Sequence, residues 1–359
     1  MDYTILNKTI YKANEHYVQY RIPGMVVTKN GTLLLYNEAR TQGSDWAKMD
    51  IILARSTDGG KTFSDATILV QSDDTHKTVN NPVMVCDNDN KIHFFYCEDY
   101  SINGGRVLHS VSLDDGLTFS KPIDITKYTL PDVRNVFALG PGHGSCGKDG
   151  VLAIPFWTVL KSSDKEVSSH FPSVVGVLYS VDGGKTFKTS NLLEDKLATP
   201  SPNETSILAL DDGSFYLNIR LNCNYRASAK FDTDFILKDY NEKLSLYDTI
   251  CFGSTAKITL NGRQVILFAN CDDRPDDYDE TTVKLGTSLF SERKNVKLKC
   301  SFDFGKTFKN LLTIDPVKGG YVELAVDDDK KIVYVFYEED FGSVCNLVAL
   351  DGQKLIKND

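Results

Sequence analysis

The chain has 359 residues, 41% of them hydrophobic and 25% charged, a balance that can bury a large core and excludes bulk disorder. Its formal net charge of −9 argues against nucleic acid or an anionic membrane surface as a partner, because both demand a basic footprint. An anionic ligand therefore has to meet a local cluster of Arg.

The first residues, MDYTILNKTIYK, hold no apolar run behind a basic start, so neither a secretory signal nor membrane insertion is expected, and a cytoplasmic location is. Next come Tyr20-Arg21-Ile22-Pro23, a strand over residues 31–36, and Glu38-Ala39-Arg40. A strand-borne Arg beside an Ile-Pro step aims charge at an interior, where burial is costly unless an anion or carboxylate meets it. An octet, Ser-x-Asp-x-Gly-x-Thr-Phe, then begins at Ser56 and recurs in full at Ser112, Ser180 and Ser301. Each copy follows a short β-type run, at residues 51–54, 107–111, 174–179 and 296–300, so each is expected to be a hairpin turn. Asp bonds backbone N–H groups further along the turn, Gly supplies a positive φ, and Thr-Phe re-enters a strand with the aromatic turned inward.

The octets start 56, 68 and 121 residues apart, and the last gap is close to double. Residues 230–235 (KFDTDF) read as an eroded copy within it. A repeat of roughly 60 residues, somewhat longer than a common propeller blade, divides the chain into about six. The expectation is an all-β chain folded as one six-bladed β-propeller over residues 1–359. The acidic run 272–280 (DDRPDDYDE) lacks the ligand spacing of a calcium loop and reads as a solvated connection. The eight cysteines, at 86, 97, 146, 223, 251, 271, 300 and 345, include no C-x-x-C pair, and the six histidines show no metal-ligand spacing. Buried thiols are expected, with no disulfide framework, metal or cofactor.

Arg-Ile-Pro followed by four such octets, or Asp boxes, resembles the sialidase (neuraminidase) family of bacterial type, from Tyr20 to about Glu338. The resemblance implies an exo-α-sialidase, which removes terminal α-linked sialic acid from a sialylated glycan with retention, through a tyrosyl covalent intermediate. Its alternatives are a trans-sialidase, an intramolecular trans-sialidase, or a non-catalytic propeller acting as a lectin. The lectin alternative predicts loss of Arg21, Asp45, Glu204 or Tyr321, and all four are present.

Family residues map one at a time. Three arginines bind the substrate carboxylate, for which a guanidinium fork is the natural partner. Arg21 matches the first, Arg220 at the end of a strand over 214–219 the second, and Arg293, ahead of the strand into the last octet, the third. Sialic acid bears its carboxylate on the anomeric carbon and would repel a carboxylate nucleophile; sialidases use Tyr instead. Tyr321, in Gly-Gly-Tyr-Val-Glu-Leu, matches that nucleophile, and the two glycines are expected to leave its approach open. Glu204, in Pro-Asn-Glu-Thr, matches its base, and Glu338 the acid that steadies Arg21, with Glu339 as rival. Asp45, on a Gly/Ser loop, matches the general acid, with Asp50 as alternative, and loop closure is expected to raise its pKa by desolvation. Arg40 and Asn81 are expected at the ring substituents, Asn81 standing where many bacterial relatives have Asp. Trp46 and Met84 are candidate walls for an N-acetyl methyl. Residues 140–144 (GPGHG) lack a phosphate-loop ending and resemble a family loop at the site's edge.

Overall fold

A computed structural model of the chain describes residues 3–74, 78–101, 104–162, 170–193, 201–276, 278–279, 281–286, 289 and 293–356. Short β-branched and aromatic runs punctuated by Gly, Asn and Asp form strands joined by tight turns, and the all-β expectation is met. There are five antiparallel sheets among these residues. The first contains Gln19–Val27, Leu33–Arg40, Met49–Ser56 and Thr67–Val70, and the second Val79–Cys86, Ile92–Ser101, Gly104–Ser112 and Ile123–Asp124. The third contains Arg134–Leu139, Leu152–Leu160, Ser173–Ser180 and Lys188–Thr189, with Ser145–Cys146 added beside Leu152–Leu160. The fourth contains Thr205–Ala209, Phe215–Arg220, Tyr225–Phe231 and Leu237–Tyr247.

The last sheet is a composite. Ser254–Leu260, Arg263–Cys271 and Lys294–Ser301 pair in order onto the first half of a 19-residue strand, Lys309–Asp327. The second half of that strand pairs with Ile332–Glu339, then Val344–Asp351, and finally the N-terminal strand Thr4–Lys12. Both ends of the chain thus share one sheet. The division falls at Gly319 and Gly320, and a Cβ on Gly320 would lie 2.2 Å from Glu338 Oε2. Gly320 admits a buried carboxylate beneath the strand and Gly319 the Cys271 thiol, a different use from the open approach to Tyr321 expected of them.

Apolar clusters join each sheet to the next. Residues such as Leu34, Leu53, Val79 and Phe94 bridge the first and second sheets, while Val136, Trp157, Leu217 and Phe231 bridge the third and fourth. Another cluster, with Met25, Leu35, Phe336 and Leu347, packs the first sheet on the last strands of the chain. Alternation of side chains along each strand supplies both faces of these interfaces.

All four octets link the third strand of a four-stranded set to the fourth. In each, the Ser hydroxyl accepts the Gly N–H four residues on, at 2.8–2.9 Å, and donates to the Asp carboxylate. The Asp accepts from both the Thr N–H and the Thr hydroxyl. The four glycines have φ of 78–88°, which only Gly adopts freely. Residues 230–235 occupy the equivalent place in the fourth sheet, where Asp232 still accepts the N–H groups of Asp234 and Ile236 and Phe235 is buried. Among the described residues no helix is long and apolar enough to cross a membrane.

Candidate active site

Strand ends and loops from all five sheets converge on one cavity of about 500 Å³. Arg21 and Ile22 enter from the strand Gln19–Val27, and Glu38 and Arg40 from its neighbour, with Asp45 on the loop beyond. Asn80 and Asn81 come from the second sheet, Trp157, His170 and Phe171 from the third, Asn203, Glu204 and Arg220 from the fourth. Arg293, Tyr321 and Phe341 complete the wall from the last sheet.

On one side, three arginines surround one tyrosine. The Arg220 Nη1 donates to the Tyr321 hydroxyl at 3.2 Å, and the guanidinium carbons of Arg21 and Arg293 lie 5.2 and 5.8 Å from the centre of its ring. The Tyr321 hydroxyl donates to Glu204, whose other oxygen accepts from Arg220. Burial drives the Tyr321 phenol well above its ordinary pKa and Glu204 adds to the rise, while Arg220, Arg293 and Arg21 pull against it. Burial wins, so Tyr321 stands as a neutral phenol with its proton already directed at a carboxylate.

Glu338 holds this side together. It is fully buried, accepts Arg21 Nε at 3.0 Å and the Ile22 N–H at 2.9 Å on one oxygen, and the Tyr321 N–H at 3.1 Å on the other. A single carboxylate therefore fixes the Arg-Ile-Pro segment against the strand carrying Tyr321. Glu339, the rival, accepts Asn346 instead. The third arginine is anchored differently: an Arg293 N–H donates to the Ile250 carbonyl. Ile22 and Ile250 have φ of 56° and 52°, a left-handed conformation rare for β-branched residues, and both line the cavity.

The other side is organised by Glu38, which the sequence reading did not single out. Its Oε2 accepts from Arg40 Nε at 2.8 Å and Nη2 at 2.5 Å, and its Oε1 accepts the Asn81 N–H at 2.8 Å. A signal for it exists, because residues two apart on a strand share a face, so Glu38 points the way Arg40 does. Asn81 also has a positive φ, 50°, repeating the device of a left-handed residue whose N–H is held by a buried carboxylate. Arg40 reaches Asp45 at 2.6 Å through Nη1. Burial pushes the Asp45 carboxyl up, but Arg40, with Arg21 and His170, brings its pKa below the ordinary value. The expected upward shift is therefore reversed by the ion pair.

Asp50, the alternative acid, does not line the cavity: it is buried and accepts from the Tyr17 hydroxyl at 2.6 Å and from Ser72 N–H and hydroxyl at 2.8 and 2.9 Å. Trp46 does not line the cavity either and is 40% exposed, because its loop turns Asp45 inward and the indole out. Met84 is fully buried in the interface between the first two sheets. The aromatic wall is instead Trp157 with His170, whose rings stack at 5.6 Å between centres, and Phe171. Trp157 lies in the strand Leu152–Leu160, apolar but for Thr158, which offers no cue that one of its rings faces a ligand. Residues 140–144 are not at the edge. They pack one layer behind the cavity wall, where Gly142 abuts Phe252 and Glu323 and His143 Nδ1 meets Glu323 Oε1 at 2.5 Å.

The geometry combines an anion clamp, a tyrosine bonded to a carboxylate, and a second carboxylate across the cavity, half of whose side chain is exposed. Residues 64–334 match the family described as BNR repeat-like domain. A sialidase of Bacteroides fragilis (strain YCH46) is 26% identical over 364 residues, covering 91% of this chain. This chain spans 61% of that relative's length. Among solved structures, Hadza microbial sialidase Hz136 aligns with a TM-score of 0.77 and 24% identity, over 95% of this chain and 67% of that one. Trypanosoma rangeli sialidase in complex with the inhibitor DANA aligns with a TM-score of 0.72 and 16% identity, over 96% and 59%. These structures share the fold.

Proposed function

The chain belongs to the bacterial-type sialidase family, with a BNR repeat-like domain, and from that premise we propose that it is a retaining exo-α-sialidase acting on terminal sialic acid of a sialylated glycan. Its architecture is a single six-bladed β-propeller, in which the composite sheet counts as two blades that share the strand Lys309–Asp327. Support comes from the pairing of that strand's two halves with different neighbours and from the N-terminal strand in the last set.

The observation that carries the reading is the Tyr321 hydroxyl bonded to Glu204 within a ring of three arginines. Arg21, Arg220 and Arg293 clamp the substrate carboxylate, which sets the anomeric carbon over Tyr321. Glu204 takes the phenolic proton as the oxygen attacks that carbon, and Asp45 gives its proton to the leaving glycosidic oxygen. In the second step Asp45 takes a proton from the water that attacks the tyrosyl intermediate, and Glu204 returns its proton to Tyr321. Glu338 touches no substrate atom and positions Arg21 and Tyr321. Asp45 becomes an acid when substrate draws Arg40 toward the ring substituents and excludes water, leaving desolvation as the dominant influence on its carboxyl. Asn81 and Arg40 face those substituents.

The test is release of a fluorogenic aglycone from an α-sialoside by wild type and by Tyr321→Phe. The expected outcome is turnover by the wild type and a loss of at least about 10³-fold in the variant, as for removal of a covalent nucleophile. A wild type without activity, or an unimpaired variant, overturns the reading. NMR of the product separates hydrolysis from transfer to a sugar hydroxyl.

A further inference from the structure

We propose that Phe341 is the platform of a leaving-group subsite, its ring taking the sugar to which sialic acid is joined. This rests on the exo-sialidase reading above. Phe341 lies in the turn Asp340–Gly342, directly after the strand that carries Glu338. Three consecutive residues there are left-handed, with φ of 43°, 54° and 86° at Asp340, Phe341 and Gly342. A bulky aromatic in that conformation is an outlier that persists only where its surroundings over-determine it.

The surroundings are specific. Lys318 Nζ donates to Asp340 Oδ1 at 2.9 Å and lies 4.4 Å from the centre of the Phe341 ring, gripping two consecutive residues of the turn. Gly342 is pressed onto the first strand, where a Cβ would come within 2.5 Å of the Tyr20 carbonyl oxygen and 2.7 Å of Arg21 Cδ. The result of this strained geometry is that Phe341 lines the cavity, while no apolar core cluster includes it.

Its location selects the ligand. Arg21 pairs in register with Glu38, and Gln19 with Arg40, so the edge of the first sheet that bears Arg21 also leads to the Asp45 loop. A group leaving with the proton of Asp45 departs across that edge, where Gly342 abuts Arg21 and the adjoining Phe341 lines the cavity. Trp157, in the third sheet, and His170 and Phe171, just ahead of its strand Ser173–Ser180, line the cavity apart from that edge and are left to the sialic acid itself. The C–H-rich face of a hexose stacks on an aromatic ring, and a partly exposed ring lining the cavity offers such a face.

The experiment compares two ligands on wild type and Phe341→Ala: 3′-sialyllactose, which carries a leaving sugar, and DANA, an unsaturated sialic acid with none. The expected result is a KM for sialyllactose raised about five- to tenfold, the range of one lost aromatic contact, with the DANA dissociation constant by calorimetry within twofold of wild type. Phe341→Leu, which keeps apolar bulk without the ring, shifts KM in the same direction and covers the case of an unstable Ala variant. Equal losses on both ligands, or no change on either, overturn the subsite. A wild type that neither binds DANA nor releases sialic acid removes the exo-sialidase reading itself, and the subsite with it.

Discussion

The four octet turns and the central cavity use the same kinds of residue, carboxylates with hydroxyl or N–H donors, yet arrange them oppositely. In the turns every partner is two to four residues away, as in Ser180 with Asp182 and Gly184. Asp58 and Asp114 are held at a pKa of about 2, chiefly by the hydroxyl and N–H of their own Thr. In the cavity the partners are 317 residues apart for Arg21 and Glu338 and 117 for Tyr321 and Glu204. The turns are self-sufficient, whereas Arg21 and Tyr321 depend on the whole fold to bring their partners. The difference is one of tolerance: a turn can lose a member and stay a turn, as residues 230–235 do without the Ser and Gly, but a buried charge that loses its partner has no substitute.

The sharpest break of that contrast is Glu338→Ala. It strands Arg21 and the N–H groups of Ile22 and Tyr321, and removing one partner of a buried pair typically costs about 3–5 kcal/mol. Denaturant unfolding should register that loss, together with at least a hundredfold fall in kcat/KM if the protein still folds. An effect no larger than that of a turn substitution would remove the distinction between the two regions.

Arg40→Met sharpens the contrast within the cavity. Arg40 holds the Asp45 carboxyl below its ordinary pKa, and a general acid works only while protonated. The fall of kcat/KM with rising pH reports that group in the free enzyme, so removing Arg40 should move the fall to higher pH. A limb that stays in place would mean that another group supplies the proton.

The smallest effect is expected at the turns. Ser180→Ala deletes the buried acceptor of the Gly184 N–H, for a loss of about 1–2 kcal/mol in unfolding free energy with kcat/KM unchanged. A change in kinetics there would couple the turns to the cavity.

The same contrast explains what could be read from the sequence. Local devices were legible: the octets announced their hydrogen bonds, and the strands before them, such as Ser173–Ser180, fell where expected. Arg21, Arg40, Asp45, Asn81, Glu204, Arg220, Arg293 and Tyr321 all line the cavity because short motifs mark them, and Glu338 lies behind Arg21 for the same reason. Features set by packing between sheets were not legible. Trp157 and Trp46 are both tryptophans near candidate site segments, and only the direction of a strand face or a loop turn decides that the first faces the cavity and the second does not. Glu38 was within reach through strand alternation, whereas Phe341 depends on a left-handed turn without a turn motif.

The central claim is that Tyr321 forms the covalent bond, and trapping tests it most directly. A 2,3-difluorosialic acid carries a good leaving group at the anomeric carbon, while its second fluorine slows the breakdown of the intermediate. Incubation followed by peptide mass spectrometry should find the sugar on Tyr321, and none on Tyr321→Phe. A turnover-competent wild type that carries the label on another residue, or carries none, would contradict it.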